Sequence, residues 1–315
     1  MSGVSRRAWC AGLALLTFGG CGPDSAGRGA APLRVFGRTG LGAVEFAYPR
    51  AMAIARDGRS MLIVDKAGRI QTLSEAGEFV RAWRMPEIDA GKPTGLGIAP
   101  DGRVFVAETH YGRVAIFSPE GEQLATFGAF GRAPGQFLLP TDVEVAADGR
   151  VFVAEYGGND RVNCFGPDLQ WQFAFADRAA GEGATARPQG LCLARDGTLL
   201  VADSCNHRIA RYATDGRFLG AFGQLGSERG ELRFPYSVDE LADGSIVVAE
   251  FGNNRVQRFS ANGQSLGTWG GAGREPGQLA YPWACGVLAD GRLAVLDSGN
   301  NRVQIIDGRA GRTWR

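Results

Sequence analysis

The chain has 315 residues, 44% hydrophobic and 21% charged, which is ample apolar material for a large core and excludes a disordered chain. Its 48 glycines, about double the usual share, follow no Gly-X-Y period and therefore point to many tight turns rather than to collagen. With 34 basic and 33 acidic side chains, no global field advertises a nucleic-acid partner.

The chain opens with Arg6 and Arg7, continues through an almost wholly apolar Ala8 to Phe18, and leaves through Gly19, Gly20 and Cys21. A basic start, a short apolar run and a small-residue exit read as a secretory leader over residues 1–21. The run is well below the ~20 residues that span a bilayer as a helix. Phe18-Gly19-Gly20-Cys21 resembles a bacterial lipobox, although Phe18 departs from the pattern. The resemblance implies lipidation of Cys21 and a protein exported to the cell envelope, membrane-anchored in the periplasm or at the cell surface. Residues 22–32, rich in Gly, Ser, Ala and Pro, suit a flexible tether. Removal of the leader takes Arg6 and Arg7 and no acid, so the mature chain is close to neutral.

Beyond the tether one unit recurs. Pro-x7-Asp-Gly occurs six times, starting at Pro49, Pro93, Pro140, Pro188, Pro235 and Pro282, with a period of 44 to 48 residues. An apolar run follows each Asp-Gly and ends in an acid: Asp65, Glu108, Glu155, Asp203, Glu250 or Asp297. Four to six residues later stands an arginine: Arg69, Arg113, Arg161, Arg208, Arg255 or Arg302. Each unit holds three short β-like runs with Asp-Gly as a hairpin signal, and most show a fourth, such as Arg217 to Gly223. Four antiparallel strands in ~40–50 residues is the arithmetic of a propeller blade. The sixth unit lacks its fourth strand, and Leu33 to Gly37 is an orphan strand before the first unit. That strand is expected to pair into the last blade and close a six-bladed, all-β ring over residues 33–315. The role of the tail from Arg309 to Arg315 stays open.

Segments such as Val151-Phe152-Val153-Ala154-Glu155-Tyr156-Gly157-Gly158-Asn159-Asp160-Arg161-Val162 and Val247 to Phe259 resemble NHL repeats. The resemblance covers nearly the whole mature chain and implies a six-bladed β-propeller. It does not imply one activity, because the family includes amidating lyases, RNA-binding domains and extracellular sensors.

The acid and arginine of each unit face each other across a short turn, so the guanidinium fork is expected to pin that turn. The four cysteines of the body, Cys164, Cys192, Cys205 and Cys285, are spread so that small buried hydrophobic roles fit better than disulfides. Strand direction places the long inter-blade loops and the acid-to-arginine turns on one face. Two residue sets approach its central mouth. Directly after the prolines come Arg50, Thr94, Thr141, Gln189, Tyr236 and Trp283; directly after the acids come Lys66, Thr109, Tyr156, Ser204, Phe251 and Ser298. They vary in type while the framework repeats, as a ring specialised for an asymmetric ligand would, and the aromatics can equally serve to pack loops.

The first functional reading is a non-enzymatic recognition or scaffold module binding a protein, peptide or glycan on this face, with no cofactor. Nucleic acid fits poorly, given export and neutral charge. The alternative is a metal-dependent lyase or hydrolase, amidating-lyase-like or lactonase-like, with zinc or calcium in the channel. Only His110 and His207 are present, at non-equivalent offsets, which does not supply the three histidines of the amidating lyases. Asp142, Glu144, Asp239 and Glu240 are acids on inner strands, and Glu144 and Asp239 align with Ala53, Gly97, Cys192 and Gly286 of the other units, making those two the weak metal candidates.

Overall fold

The computed structural model describes residues 30–309, 311 and 313–315. The leader-like residues 1–21, with Cys21, and residues 22–29 of the expected tether lie outside these. Among the described residues the architecture is all-β: six four-stranded antiparallel sheets arranged as propeller blades. Blade 1 comprises Pro49–Ile54, Ser60–Asp65, Arg69–Ser74 and Phe79–Arg84, and blade 2 comprises Pro93–Ile98, Val104–Glu108, Arg113–Phe117 and Gln123–Phe127. Blade 3 runs Leu139–Val145, Val151–Tyr156, Arg161–Phe165 and Trp171–Phe175, and blade 4 runs Pro188–Leu193, Thr198–Asp203, Arg208–Ala213 and Phe218–Phe222. Blade 5 is Pro235–Glu240, Ile246–Glu250, Arg255–Phe259 and Ser265–Gly270. Blade 6 takes Ala284–Val287, Arg292–Asp297 and Arg302–Asp307 from the end of the chain, and its fourth strand is Arg34–Phe36 from the beginning. The closing strand pairs Arg34 with Ile305, Val35 with Gln304 and Phe36 with Val303, so the start of the chain completes the last blade as its outer strand.

The repeated landmarks form the frame. In every blade the arginine binds the acid, at 3.2 Å for Arg69–Asp65 and between 2.5 and 2.8 Å in the other five. The same carboxylates reach back in five blades to the backbone N–H two residues before their own blade's proline: Ala47, Leu138, Ala186, Arg233 and Ala280. Each acid therefore locks a turn and an inter-blade loop at once, and with 0–2% side-chain exposure it is fully engaged in scaffold. Glycines of the Asp-Gly turns sit at φ between 65° and 87°, the left-handed region that the hairpin requires.

The core is not central. Six apolar clusters lie between neighbouring blades, for example Phe105, Val114, Phe137, Val153 and Phe165 between blades 2 and 3. Loop residues three positions before a proline, Phe46, Phe137, Leu232 and Leu279, are completely buried in four of these clusters. Each such side chain contributes about 2 kcal/mol of burial and bolts a loop over a blade boundary. The tail also has a place: Thr268 and Arg315 exchange backbone hydrogen bonds at 2.9 and 3.1 Å, adding the chain end to the outer edge of blade 5. No helix among the described residues is long and apolar enough to cross a membrane.

Candidate functional site

Proline cannot donate to a β ladder, and the innermost strands show the consequence. In blades 1 to 5 pairing slips between the proline and the residue two further on, leaving one residue out of register. The residues skipped by this bulge are Arg50, Thr94, Thr141, Gln189 and Tyr236. A bulge re-aims the side chain of the extra residue, and in four of the five blades, at Arg50, Thr94, Gln189 and Tyr236, that side chain reaches the ring axis. In blade 6 the ladder begins only at Ala284, which leaves Trp283 in the equivalent place. A cavity of about 420 Å³ occupies the axis and is lined at one end by Arg50, Thr94, Gln189, Tyr236 and Trp283.

In blades 2 and 5 the residue after the proline pairs with the residue after the acid. Tyr236 stacks on Phe251 at 4.5 Å between ring centroids, and the Thr94 and Thr109 hydroxyls are hydrogen-bonded. Trp283 meets Tyr236 edge-on at 5.1 Å and Phe251 at 5.7 Å, with Tyr281 and Tyr48 around them. Thr141, by contrast, is spent on the ring itself, donating to Pro188 O at 2.8 Å across the blade boundary.

Rim backbone is held in an uncommon shape. Tyr48, Arg187, Phe234 and Tyr281, each immediately before a proline, have φ of 48–54° in the left-handed region. Such residues are ordinarily pushed to extended backbone, so the conformation is strained and must be held. A side chain from the preceding blade accepts each N–H: Asn301 Oδ1 for Tyr48 at 2.6 Å, Asp160 Oδ1 for Arg187 at 3.2 Å, His207 Nδ1 for Phe234 at 3.1 Å and Asn254 Oδ1 for Tyr281 at 2.8 Å. His207 is thus a loop clasp. Its half-burial and the nearby Arg233 charge hold its pKa below the usual value, against the pull of Asp203.

Three cations stand at this mouth against aromatic rings: Arg50 over Trp283 at 5.4 Å, Lys66 over Tyr48 at 4.2 Å and Arg187 over Tyr156 at 4.8 Å. None has a hydrogen bond or ion pair from its charged head among the described residues. Arg50 Nε, Arg187 Nε, Gln189 Nε2 and Ser204 Oγ are buried without a partner, while Gln189 as a whole is 8% exposed. Burial lowers the pKa of both Arg50 and Lys66, and the Arg50 charge lowers that of Lys66 further.

Deeper in the cavity lie Asp142, Glu144 and Asp239. They touch its interior yet are enclosed by the ring, and burial pushes Asp142 up to about 7 and Glu144 to about 8, the latter also through the charges of Asp142 and Asp239. Asp239 is raised for the same first reason. Two of the three are staples between blades: Asp142 Oδ2 accepts from Leu191 N at 2.9 Å, and Asp239 Oδ2 from Val287 N at 2.8 Å. Arg56 reaches from blade 1 to Val145 O of blade 3 at 3.1 Å, bridging the axis beside Glu144. No group of three His, Cys, Asp or Glu among the described residues is arranged to hold a metal ion.

Of the residues the sequence nominates, Arg50, Thr94, Gln189, Tyr236 and Trp283 line the cavity with Glu144 and Asp239. Lys66, Tyr156 and Phe251 surround the rim behind them, and Thr141 is buried in the wall. Arg187 escapes sequence reading because it precedes the proline, where an extended residue facing away is the default. The four described body cysteines are free, but Cys205 is exposed rather than a small core residue, because it lies within the acid-to-arginine turn of blade 4 instead of in a strand.

A family model described as NHL repeat matches residues 185–212, which span the loop entering blade 4 through most of that blade's third strand. The chain carries an NHL repeat. No curated protein matches the sequence significantly. Among solved structures, a streptogramin B lyase superposes with a TM-score of 0.61 at 14% identity, covering 86% of this chain and 96% of that one. A gluconolactonase from Xanthomonas campestris gives 0.63 at 16% identity, covering 83% and 86%. A catalytically inactive histidine-to-alanine variant of virginiamycin B lyase from Staphylococcus aureus, solved with quinupristin, gives 0.56 at 17% identity, covering 84% and 85%. These likenesses establish the propeller fold.

Proposed function

We propose that the chain is a non-enzymatic recognition module that takes a ligand at the mouth of its ring lined by Arg50, Gln189, Tyr236 and Trp283, the ligand being a protein, peptide or glycan. The observation that carries this reading is the bulge after the proline, with Trp283 in the equivalent place in blade 6: Arg50, Thr94, Gln189, Tyr236 and Trp283 line the cavity and differ in type while the framework around them repeats. Tyr236, Phe251 and Trp283 supply packed aromatic area, and Arg50 and Gln189 supply directional polarity. As a further part of the proposal, the leader-like residues 1–21 and lipidated Cys21 would display the ring at the cell envelope.

The second reading, a metal-dependent lyase or hydrolase, is favoured by Glu144 and Asp239 lining the same cavity and by the enzymes among the structural neighbours. The donor set fits a metal poorly, since Asp142 and Asp239 each commit a carboxylate oxygen to backbone N–H groups of the next blade. Loss of a histidine inactivates the lyase solved with quinupristin, whereas here His110 and His207 lie off the cavity, so that reaction is not carried over.

Two measurements separate the readings. Saccharide and peptide arrays probed with the purified chain are expected to give hits that Trp283→Ala abolishes, with metal content below stoichiometric. Stoichiometric zinc or calcium that disappears in Glu144→Ala, with lactone or ester turnover lost alongside it, would overturn the recognition reading.

A further inference from the structure

Resting on that reading, we infer that the ligand of the mouth carries an oxyanion, a carboxylate or a phosphate, held between Arg50 and Gln189 while its flatter part lies on Trp283. The argument starts from donors without acceptors. Arg50 Nε, Arg187 Nε, Gln189 Nε2 and Ser204 Oγ are four of the six buried side-chain polar atoms lacking a partner among the described residues. Every one of the four can donate. Three further facts give the imbalance a sign. Arg50, Lys66 and Arg187 present their charges to ring faces and to no carboxylate, in a chain whose remaining framework arginines are paired at 2.5–3.2 Å. Burial is the dominant influence on the Arg50 charge, and the phenols of Tyr48, Tyr156 and Tyr236 lie within its electrostatic reach. The acids of this cavity are deeper, where Asp142 and Asp239 are bound to backbone.

A desolvated guanidinium and an unpaired amide cost stability unless something satisfies them, and a charged acceptor does so best. An anion meeting Arg50, Gln189 Nε2 and the Lys66 charge would convert that cost into affinity. The aromatic side of the mouth, Trp283 packed on Tyr236, fits a planar or ring-shaped body of the same ligand. A cavity of about 420 Å³ limits the inserted part to the size of a small molecule or one end of a chain.

The test is titration of the full chain with glucuronate, inorganic phosphate and sulfate, and with methyl glucoside as the neutral control, read by tryptophan fluorescence and by calorimetry. Saturable binding of an oxyanion in the millimolar range or tighter is expected, weakening as sodium chloride is raised and weakening about tenfold in both Arg50→Met and Gln189→Leu. Lys66→Met, at an exposed position, reports the charge requirement should Arg50→Met fail to fold. Preference for glucuronate assigns the anion to a carboxylate; preference for phosphate or sulfate assigns it to that group. Equal binding of methyl glucoside and glucuronate, or no saturation by any of the three anions, overturns the inference. Array ligands that bind in a Trp283-dependent way without a negative charge would overturn it while leaving the recognition reading standing.

Discussion

His207 Nδ1 accepts the Phe234 N–H at 3.1 Å, clasping a strained loop of blade 5 from a turn of blade 4. Asn254 and Asn301 do the same for Tyr281 and Tyr48. His207→Asn is therefore expected to keep full stability, whereas His207→Ala loses about 1–2 kcal/mol in urea denaturation. The clasp needs a neutral imidazole nitrogen. With its folded pKa below the unfolded one, His207 contributes stability above about pH 6.5 that is lost as pH falls through the folded value. Melting between pH 7 and 5 is expected to show this loss in the native chain and to lack that component in His207→Asn.

Glu144 titrates in the opposite sense. Its folded pKa, about 8, lies above the unfolded carboxylate value, so the protonated form favours folding and stability declines as pH rises from about 4 to 8. Glu144→Gln keeps the shape and removes the proton. The variant is expected to be more stable at pH 8, by about 2 kcal/mol, and to melt with a flatter pH profile over that window.

Glu155 accepts from Leu138 N, Asn159, Arg161 and Asn163 while fully buried. Replacing it by alanine strands a guanidinium and an amide together, and a loss of about 3–5 kcal/mol is expected. Asp101→Ala, which removes an exposed partner of Arg103, should change stability by no more than about 0.5 kcal/mol. Comparable losses in the two variants would contradict the assignment of the buried acids to the frame.

Deletion of residues 33–36 strips the outer strand from blade 6 and uncovers Val303, Gln304 and Ile305 as an edge. A lower melting temperature and concentration-dependent association, seen by light scattering, are the expected results. A monomer with unchanged melting would show that the strand is dispensable to the ring.

Much of this was legible in the sequence because the constraints are local or strictly periodic. Pro-x7-Asp-Gly marks a hairpin, the acid and arginine mark a turn, and the orphan Leu33 to Gly37 supplies the strand missing after Arg302. What escaped was set by backbone that carries no residue signature. Tyr48, Arg187, Phe234 and Tyr281 share a left-handed conformation but no chemistry, and only the recurring Asn254 and Asn301 hint at it. The bulge after the proline follows from its missing N–H, yet the direction of the extra side chain depends on the whole ring. The acceptor role of His207 carries no mark in its own segment, because it requires a neighbour 27 positions away. The buried loop apolars Phe46, Phe137, Leu232 and Leu279 repeat three positions before the prolines, a periodic signal carried by the sequence itself.

Pairing Val35 with Gln304 makes the chain wait for itself during synthesis. Five blades assemble from neighbouring segments as they emerge, but the ring is shut only once about 270 further residues have followed the closing strand. Until then that strand has no partner and blade 6 does not exist. A ribosome-bound chain is therefore an open arc, and the mouth between Arg50 and Trp283, which spans that final seam, is completed last.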